Sequence, residues 1–230
     1  EEDCYSDGKK VRISKKFKTG NNIRIKGEDV KKKQRIFLSG RKIRSMDLAQ
    51  LSSIGVKKIK VFKKIRVGIF SSGDELCEFP KKKSKYEIYD ANKLVLVSLF
   101  KKIGCEVIDL GIIKDDYSET RKLIFNKIKS LDVIVTSGGI SKSKTDNIGK
   151  FFENNAQIKF WRLSIKPGRP FAFGKIKNTP FIGLPGNPVA AIITFFMLVI
   201  EYIRGLSGLK EKQTIERILP CDFEMKKRKG

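Results

Sequence analysis

Histidine is absent from all 230 residues. The side chain that most often shuttles protons or ligates metals near neutral pH is therefore missing, and chemistry must come from carboxylates, lysines, hydroxyls and backbone amides. Cysteine is scarce. Cys4, Cys77, Cys105 and Cys221 lie far apart with no Cys-x-x-Cys pair, which argues against a zinc knuckle or a disulfide framework. Cys105 falls in a strand-like run and reads as a small core residue. This usage suits a reducing compartment, and a cytoplasmic location is expected. Long apolar runs are also lacking. The longest, Val189 to Ile203, is broken by Thr194 and Glu201 and is short for a membrane span, so no membrane partner is expected. No signal peptide is visible. The chain opens at Glu1 and stops at Lys229-Gly230, and both ends are expected to be cut.

Acidic residues are the other deficit: 25 against 50 lysines and arginines, a net charge of +25. A nucleic-acid or membrane binder is one reading of such a balance. Lysine is spread through every segment, however, and runs such as Lys31-Lys32-Lys33, Lys81-Lys82-Lys83 and Lys226-Lys227-Arg228-Lys229 fall where loops are expected. A solvated surface, or a small polyanionic substrate that needs only a few of these charges, explains the pattern better than a specific nucleic acid.

Residues 1–62 are short-period and turn-rich. Strands are expected around Asn22 to Gly27, at Ile36-Phe37-Leu38 and from Val56 to Phe62, with a helix over Met46–Gly55 that Ser45 caps and Gly55 ends. From Ile65 onward strands and helices alternate. Strands are expected at Ile65–Phe70, Cys105–Leu110, Leu131–Thr136, Phe160–Leu163, Phe171–Gly174 and Phe181–Leu184. Helices are expected from Asp90 to Ile103, from a Ser118 cap to about Lys129, from Asp146 to Glu153, and from Val189 to about Gly205. The fold class is therefore α/β, a mainly parallel sheet with helices on both faces, preceded by a small β-rich region. The expected division is 1–62 for that region, 63–208 for the α/β domain and 209–230 for the start of a further domain.

In such a sheet ligands sit beyond the carboxyl ends of the strands. Those ends carry Ser71-Ser72-Gly73-Asp74-Glu75, then Asp115-Asp116, then Thr136-Ser137-Gly138-Gly139-Ile140-Ser141 with Asp146. Lys166-Pro167-Gly168-Arg169-Pro170 and Leu184-Pro185-Gly186-Asn187-Pro188 follow. Each alone has a plain structural reading: Asp116 or Asp146 as a helix cap, Ser-Gly-Gly as an ordinary turn, Pro-Gly-Asn-Pro as a helix start. Their shared edge suggests more. Glycine amides and a helix N-terminus cradle phosphate. Lys166 and Arg169 neutralise charge. Glu75, Asp115 and Asp146 offer oxygens to a hydrated divalent cation. Together they point to phosphoryl-linked chemistry on an anionic ligand, and the residues alone do not name it.

Six motifs carry a resemblance. Ser-Ser-Gly-Asp-Glu-Leu (71–76), Ile-Tyr-Asp-Ala-Asn (88–92), Leu-Gly-Ile-Ile-Lys-Asp-Asp (110–116), Thr-Ser-Gly-Gly-Ile-Ser (136–141), Lys-Pro-Gly-Arg-Pro (166–170) and Gly-Leu-Pro-Gly-Asn-Pro (183–188) together resemble the MoeA family. These are the molybdopterin molybdenumtransferases, similar to the E domain of gephyrin. The resemblance implies a MoaB/MogA-like domain that inserts molybdate into adenylylated molybdopterin and releases AMP, with Mg²⁺ as cofactor. It implies a homodimer, with an adenylyltransferase as a further partner. It assigns catalysis to positions matching Asp29, Glu75, Asp115, Asp146 and Lys166, with Asp29 reaching across the dimer. Glu75, Asp115 and Asp146 would be the metal ligands. Substrate binding falls to Ser72, Gly73, Ser137, Gly138, Gly139, Ser141, Arg162, Pro167, Gly168, Arg169, Pro185, Gly186 and Asn187. Arg162 stands where the family usually has lysine, and Ser143 and Lys144 depart from its Ser-x-Gly-acidic pattern. The family's amino-terminal helices and carboxy-terminal barrel have no counterpart in the sequence. The rival readings are a MogA/MoaB-type adenylyltransferase, a non-catalytic scaffold and a nucleic-acid binder.

Overall fold

The computed structural model describes residues 3–14, 16, 18–140, 147–210, 217–220 and 222–224. Two compact units are present, Glu1–Ile59 and Lys60–Gly230.

The first unit holds an antiparallel hairpin of β1 (Cys4–Ser6) and β2 (Val11–Ile13) and one helix, α1 (Ser45–Ser53). The hairpin turn is built by Asp7, whose Oδ1 accepts from the amides of Lys9 (2.9 Å) and Lys10 (2.7 Å). Helix α1 starts one residue earlier than expected, with Arg44 in the capping position. The Arg44 amide donates to Asp47 Oδ2 at 2.9 Å, and Arg41 donates to Asp47 Oδ1 at 2.7 Å. The Arg41 hydrogen bond, aided by the Arg44 amide, holds the Asp47 carboxyl below its ordinary pKa. Past the Ile54 cap, the Val56 amide closes the helix by donating to the Leu51 carbonyl.

Three expected strands do not form here. Residues 22–27, 36–38 and 56–62 run as turns, bends and extended coil. For residues 22–27 the reason is local. Asn22 takes φ 60°, and Glu28 folds back so that its Oε2 accepts from the Ile25 amide at 3.0 Å. Side-chain acceptors thus capture amides that a ladder would need. Ile23 and Ile25 remain exposed, so no buried face fixes a register.

The second unit is built on a six-stranded sheet. Its strands are β3 (Arg66–Ser72), β6 (Glu106–Ile113), β7 (Val133–Ser137), β8 (Ala156–Arg162), β9 (Pro170–Ile176) and β10 (Thr179–Leu184). The spatial order is β6-β3-β7-β10-β9-β8. The first four are parallel, and β9 and β8 add antiparallel at the edge. β4 (Leu76–Cys77) and β5 (Ile88–Tyr89) form a separate two-stranded parallel pair. The period of two sorts the side chains. Val67, Ile69, Val133, Val135, Ile182 and Leu184 face α2 (Ala91–Lys102) and the last helix. Phe70, Ile134 and Phe181 face α3 (Tyr117–Lys127) and α4 (Asn147–Asn155), where Ile148, Phe151 and Phe152 are fully buried. Both faces of the central strands are therefore covered. That is why β3 reads as an apolar run and not as an alternation.

Asp116, not Ser118, caps α3: its Oδ1 accepts from the Glu119 amide at 2.7 Å. An aspartate placed straight after a strand meets the free amides before a serine two residues later can. The final helix runs from α5 (Pro188–Thr194) through a π segment (Phe195–Val199) into α6 (Ile200–Leu206). Its span is long and apolar enough to cross a membrane, with a mean hydropathy of 1.9. Ala190, Ala191, Phe195, Val199 and Ile203 nonetheless form a buried stripe against the sheet, as a core helix does.

Candidate functional site

The crossovers after β3 and β7 leave on opposite faces of the sheet, to α2 and to α4. Adjacent parallel strands whose connections part in this way open a crevice at their carboxyl ends. A cleft of about 510 Å³ lies there. Its floor is the end of β3 (Ser72 to Glu75) and the turn after β7 (Ser137 to Ile140). Its walls are Asp90, Ala91 and Asn92 at the start of α2, Asp115 beyond β6, and Gly186 and Pro188 at the start of α5.

The turn after β7 requires its glycines. Gly138 and Gly139 take φ 84° and 62°, in the left-handed region. A Cβ on Gly138 would stand 2.6 Å from the Ser72 carbonyl oxygen, and one on Gly139 would collide with Ser72 Oγ and approach Ile148 Cγ2 to 2.8 Å. The close approach of β3 and β7 thus leaves no room for a side chain.

Hydrogen bonds fix this turn from three sides. The Gly138 amide donates to the Leu184 carbonyl at 3.1 Å. Trp161 Nε1 donates to the Ile140 carbonyl at 2.8 Å. Asn92 Nδ2 donates to Ser137 Oγ at 2.7 Å and to the Gly186 carbonyl at 2.8 Å. Asn92 thereby ties the β7 turn to the Pro185-Gly186-Asn187 turn. Asn187 caps α5, its Oδ1 accepting from the Ala190 amide at 3.1 Å, and Pro188 follows in the first turn. The amino-terminal ends of two helices, α2 and α5, therefore line the cleft, and their free amides favour an anion.

Carboxylates also line the cleft. Glu75 folds back over Gly73: a Cβ on that glycine would meet the Glu75 carboxylate at 2.6 Å. The Asp115 amide donates to Asp74 Oδ1 at 2.9 Å, and the Ile148 amide donates to Asp115 Oδ1 at 3.1 Å. Asp115 thus links the end of β6 to the start of α4. Asp90 caps α2 through the Lys93 amide at 3.0 Å, while its Oδ2 is buried with no hydrogen-bond partner among the described residues. Behind this wall Lys93, with a side chain only 6% exposed, reaches Glu78 Oε1 at 2.5 Å and Asp109 Oδ2 at 3.3 Å. Burial works against its charge. The Glu78 hydrogen bond and the two nearby carboxylates outweigh burial and raise its pKa above the ordinary lysine value.

Of the candidate residues, Ser72, Gly73, Glu75, Asp115, Ser137, Gly138, Gly139 and Gly186 meet in this one cleft. Pro185 is buried beside it, and Asn187 serves as the helix cap. Arg162, Lys166, Pro167 and Arg169 are exposed, Gly168 is buried, and none of the five lines the cleft; Pro170, next in chain, does. Ser141 and Asp146, with Ser143 and Lys144, lie outside the described residues. Among the described residues no three acidic, histidine or cysteine side chains gather closely enough for a metal site. Asp29 belongs to the first unit, 69% exposed by side chain and paired with Arg24 at 3.2 Å.

Asp74, Asp90, Asn92 and Trp161 carry no site role from the sequence. Asp74 stands in the stretch that ends the first strand, and Asp90 and Asn92 in the family motif Ile88–Asn92, where they read as a helix cap. Nothing local distinguishes an asparagine in the first turn of a helix from a solvated one. Trp161 is the chain's one tryptophan, a buried donor that must find an acceptor.

A mainly parallel sheet, a glycine turn and two helix ends around an acidic wall define an α/β domain with a cleft at the carboxyl ends of its strands. Comparison with known proteins gives the family. Residues 68–205, more than half of the chain, match the family described as "Probable molybdopterin binding domain", and the chain belongs to it. Its homologues are MoeA-type proteins. It is 40% identical over 201 residues to the molybdopterin molybdenumtransferase of Haemophilus influenzae, spanning 87% of this chain and 50% of that protein. It is 28% identical over 240 residues to gephyrin of Dictyostelium discoideum, covering 92% of this chain and 33% of that one. Two solved structures of the MoeA protein of Pyrococcus horikoshii superpose with TM-scores of 0.77 and 0.73, at 30% and 27% identity. Each covers 91% of this chain and about half of its own. The chain spans about half the length of the curated molybdenumtransferases it matches.

Proposed function

We propose that this chain carries the substrate cleft of a molybdenum insertase, which transfers molybdate to the dithiolene of adenylylated molybdopterin and releases AMP. The supporting observation is the meeting, in one cleft of a molybdopterin-binding family member, of the Ser137-Gly138-Gly139 turn, the Gly186 turn and the carboxylates of Glu75 and Asp115. The two turns and the α2 and α5 amino-terminal ends receive the phosphoanhydride oxygens. Lys166, Arg162 and Arg169, which are exposed, contact the outlying anionic groups of the ligand and of molybdate in this reading.

Glu75 and Asp115 fit Mg²⁺, a cation commonly held through one or two carboxylates together with substrate phosphates and water. Bound there, with Asp146 as a further ligand, it supplies charge neutralisation for the anhydride oxygens. Asp115 can keep its amide-bound Oδ1 in place while its other oxygen serves the ion. In this reading the protein works as a homodimer in the cytoplasm, beside the adenylyltransferase that supplies its substrate, and Asp29 acts in the partner's cleft. Its surface pairing with Arg24 costs little to break.

The test is AMP release from adenylylated molybdopterin by the full-length protein with molybdate and Mg²⁺. No release, under conditions where a known insertase works, refutes the proposal. Pyrophosphate release from ATP and molybdopterin would assign the adenylyltransferase reaction instead. Asp146→Asn should lower turnover far more than it lowers melting temperature.

A further inference from the structure

We infer that Asn92 is a positioning residue that turns Ser137 into an obligate hydrogen-bond donor toward a phosphoryl oxygen in the cleft. The inference rests on the proposed reading of the cleft as the seat of a nucleotide-linked phosphate. The Gly186 carbonyl has no hydrogen to offer, so the Asn92 atom 2.8 Å from it is the amide nitrogen. Its second N–H then points to Ser137 Oγ at 2.7 Å. A hydroxyl has one proton and two lone pairs. With Asn92 donating to the oxygen, the Ser137 proton must go to another acceptor, and none of the described residues provides it. Ser137 is only 2% exposed and Asn92 9%, so few acceptors other than one seated in the cleft can reach that proton. Both residues line the cleft. A buried donor without an acceptor among the described residues, beside two glycine amides and a helix start, is matched by an anionic oxygen.

The same amide has a second effect. By holding the Gly186 carbonyl, Asn92 keeps the turn before α5 against the turn after β7. One side chain thus sets both the direction of a donor and the spacing of the two loops that receive the phosphate.

The experiment is a double-mutant cycle on Asn92→Ala and Ser137→Ala, with Asn92→Asp as a third variant, in the full-length protein. The probes are AMP and adenosine, with affinities read by calorimetry. Thermal unfolding checks that each variant is folded. We expect each alanine variant to weaken AMP at least tenfold and adenosine less than twofold, and the double variant to be no weaker than Ser137→Ala. Asn92→Asp keeps the size but offers only acceptors, so Ser137 turns its proton inward; AMP affinity should then fall further than with alanine. Additive losses in the cycle would overturn the inference. So would equal losses for AMP and adenosine, which mark a general collapse of the cleft, or wild-type AMP affinity in Asn92→Asp. If Asn92→Asp does not fold, the alanine cycle decides alone. Failure of the wild-type protein to bind AMP would instead overturn the nucleotide reading of the cleft, and the inference with it.

Discussion

Replacing Gly139 with alanine adds one methyl group, and the structure says what that methyl costs. At φ 62° the residue sits in the left-handed region, where an L side chain costs roughly 1–2 kcal/mol. The new Cβ also collides with Ser72 Oγ and comes within 2.8 Å of Ile148 Cγ2. Neither neighbour can step aside easily: Ser72 is 6% exposed and ends β3, and Ile148 is fully buried in the second core cluster. Overpacking of that kind costs typically about 1–3 kcal/mol. The sum is about 2–5 kcal/mol, measurable by urea denaturation at 25 °C. The strain lies in the turn that Trp161 and Asn92 hold, so AMP affinity should fall with stability. A loss below about 1 kcal/mol, about the ordinary cost of a tolerated core change, would refute the reasoning if AMP binding were also unchanged. It would mean that β3 and β7 do not close on this turn as described.

Lys93 should show an asymmetry. Its partners Glu78 and Asp109 are 43% and 51% exposed and can rehydrate, so Lys93→Met should be near neutral in urea denaturation, whereas removing both carboxylates should cost about 3–5 kcal/mol by stranding a buried charge. Asp132 accepts from Lys63 Nζ at 2.7 Å and from the Arg66 amide at 2.9 Å; against the opposing effect of burial, these hold its pKa below 3.8. Asp132→Ala should therefore cost about 1–3 kcal/mol at pH 7. That deficit should shrink as pH falls through the lowered pKa of the folded state, because protonation removes the same interactions from the wild type. Burial pushes the Cys105 thiol from 9.0 up to about 11. Above pH 9 the unfolded thiol ionises first, so the stability of the wild type relative to Cys105→Ala should decline between pH 9 and 11. A thiol reagent at pH 8 should label exposed Cys4 and leave Cys105 unmodified until the protein unfolds.

The α/β unit was legible because its signals are long. Val67 to Phe70 and Val133 to Val135 are continuous apolar runs, which mark strands covered on both faces. Caps at Asp90 and Asn187 mark helix starts within a residue. The first unit was not legible in the same way. Ile23, Ile25 and Leu38 look like strand residues, but they stay exposed; Asn22 turns the chain at φ 60°, and Glu28 captures the Ile25 amide. Strand formation depends on a neighbour's edge, and a short sequence window does not contain that neighbour. The glycine turns of the cleft could be read because the backbone demands them. Asn92 and Trp161 could not, because their roles depend on acceptors 45 and 21 residues away.

Charge shows the same division between scales. Summed over the chain, the balance is +25, and it says only that an anion is drawn toward the surface. Within the cleft the sign reverses: Asp74, Glu75, Asp90 and Asp115 line it, and no lysine or arginine does among the described residues. An anion entering such a cleft without a countercharge would meet four carboxylates at close range. Helix amino-terminal ends of roughly half a charge each offset only part of that repulsion. Exposed lysines farther than about 10 Å from the cleft add little, because charges at that range are screened at ordinary salt. In the proposed reading, a cation that enters with the phosphate would offset this repulsion. On that proposal the acidic wall and the glycine turns act together: the turns would receive the anion, and the carboxylates would hold the ion that makes the anion acceptable.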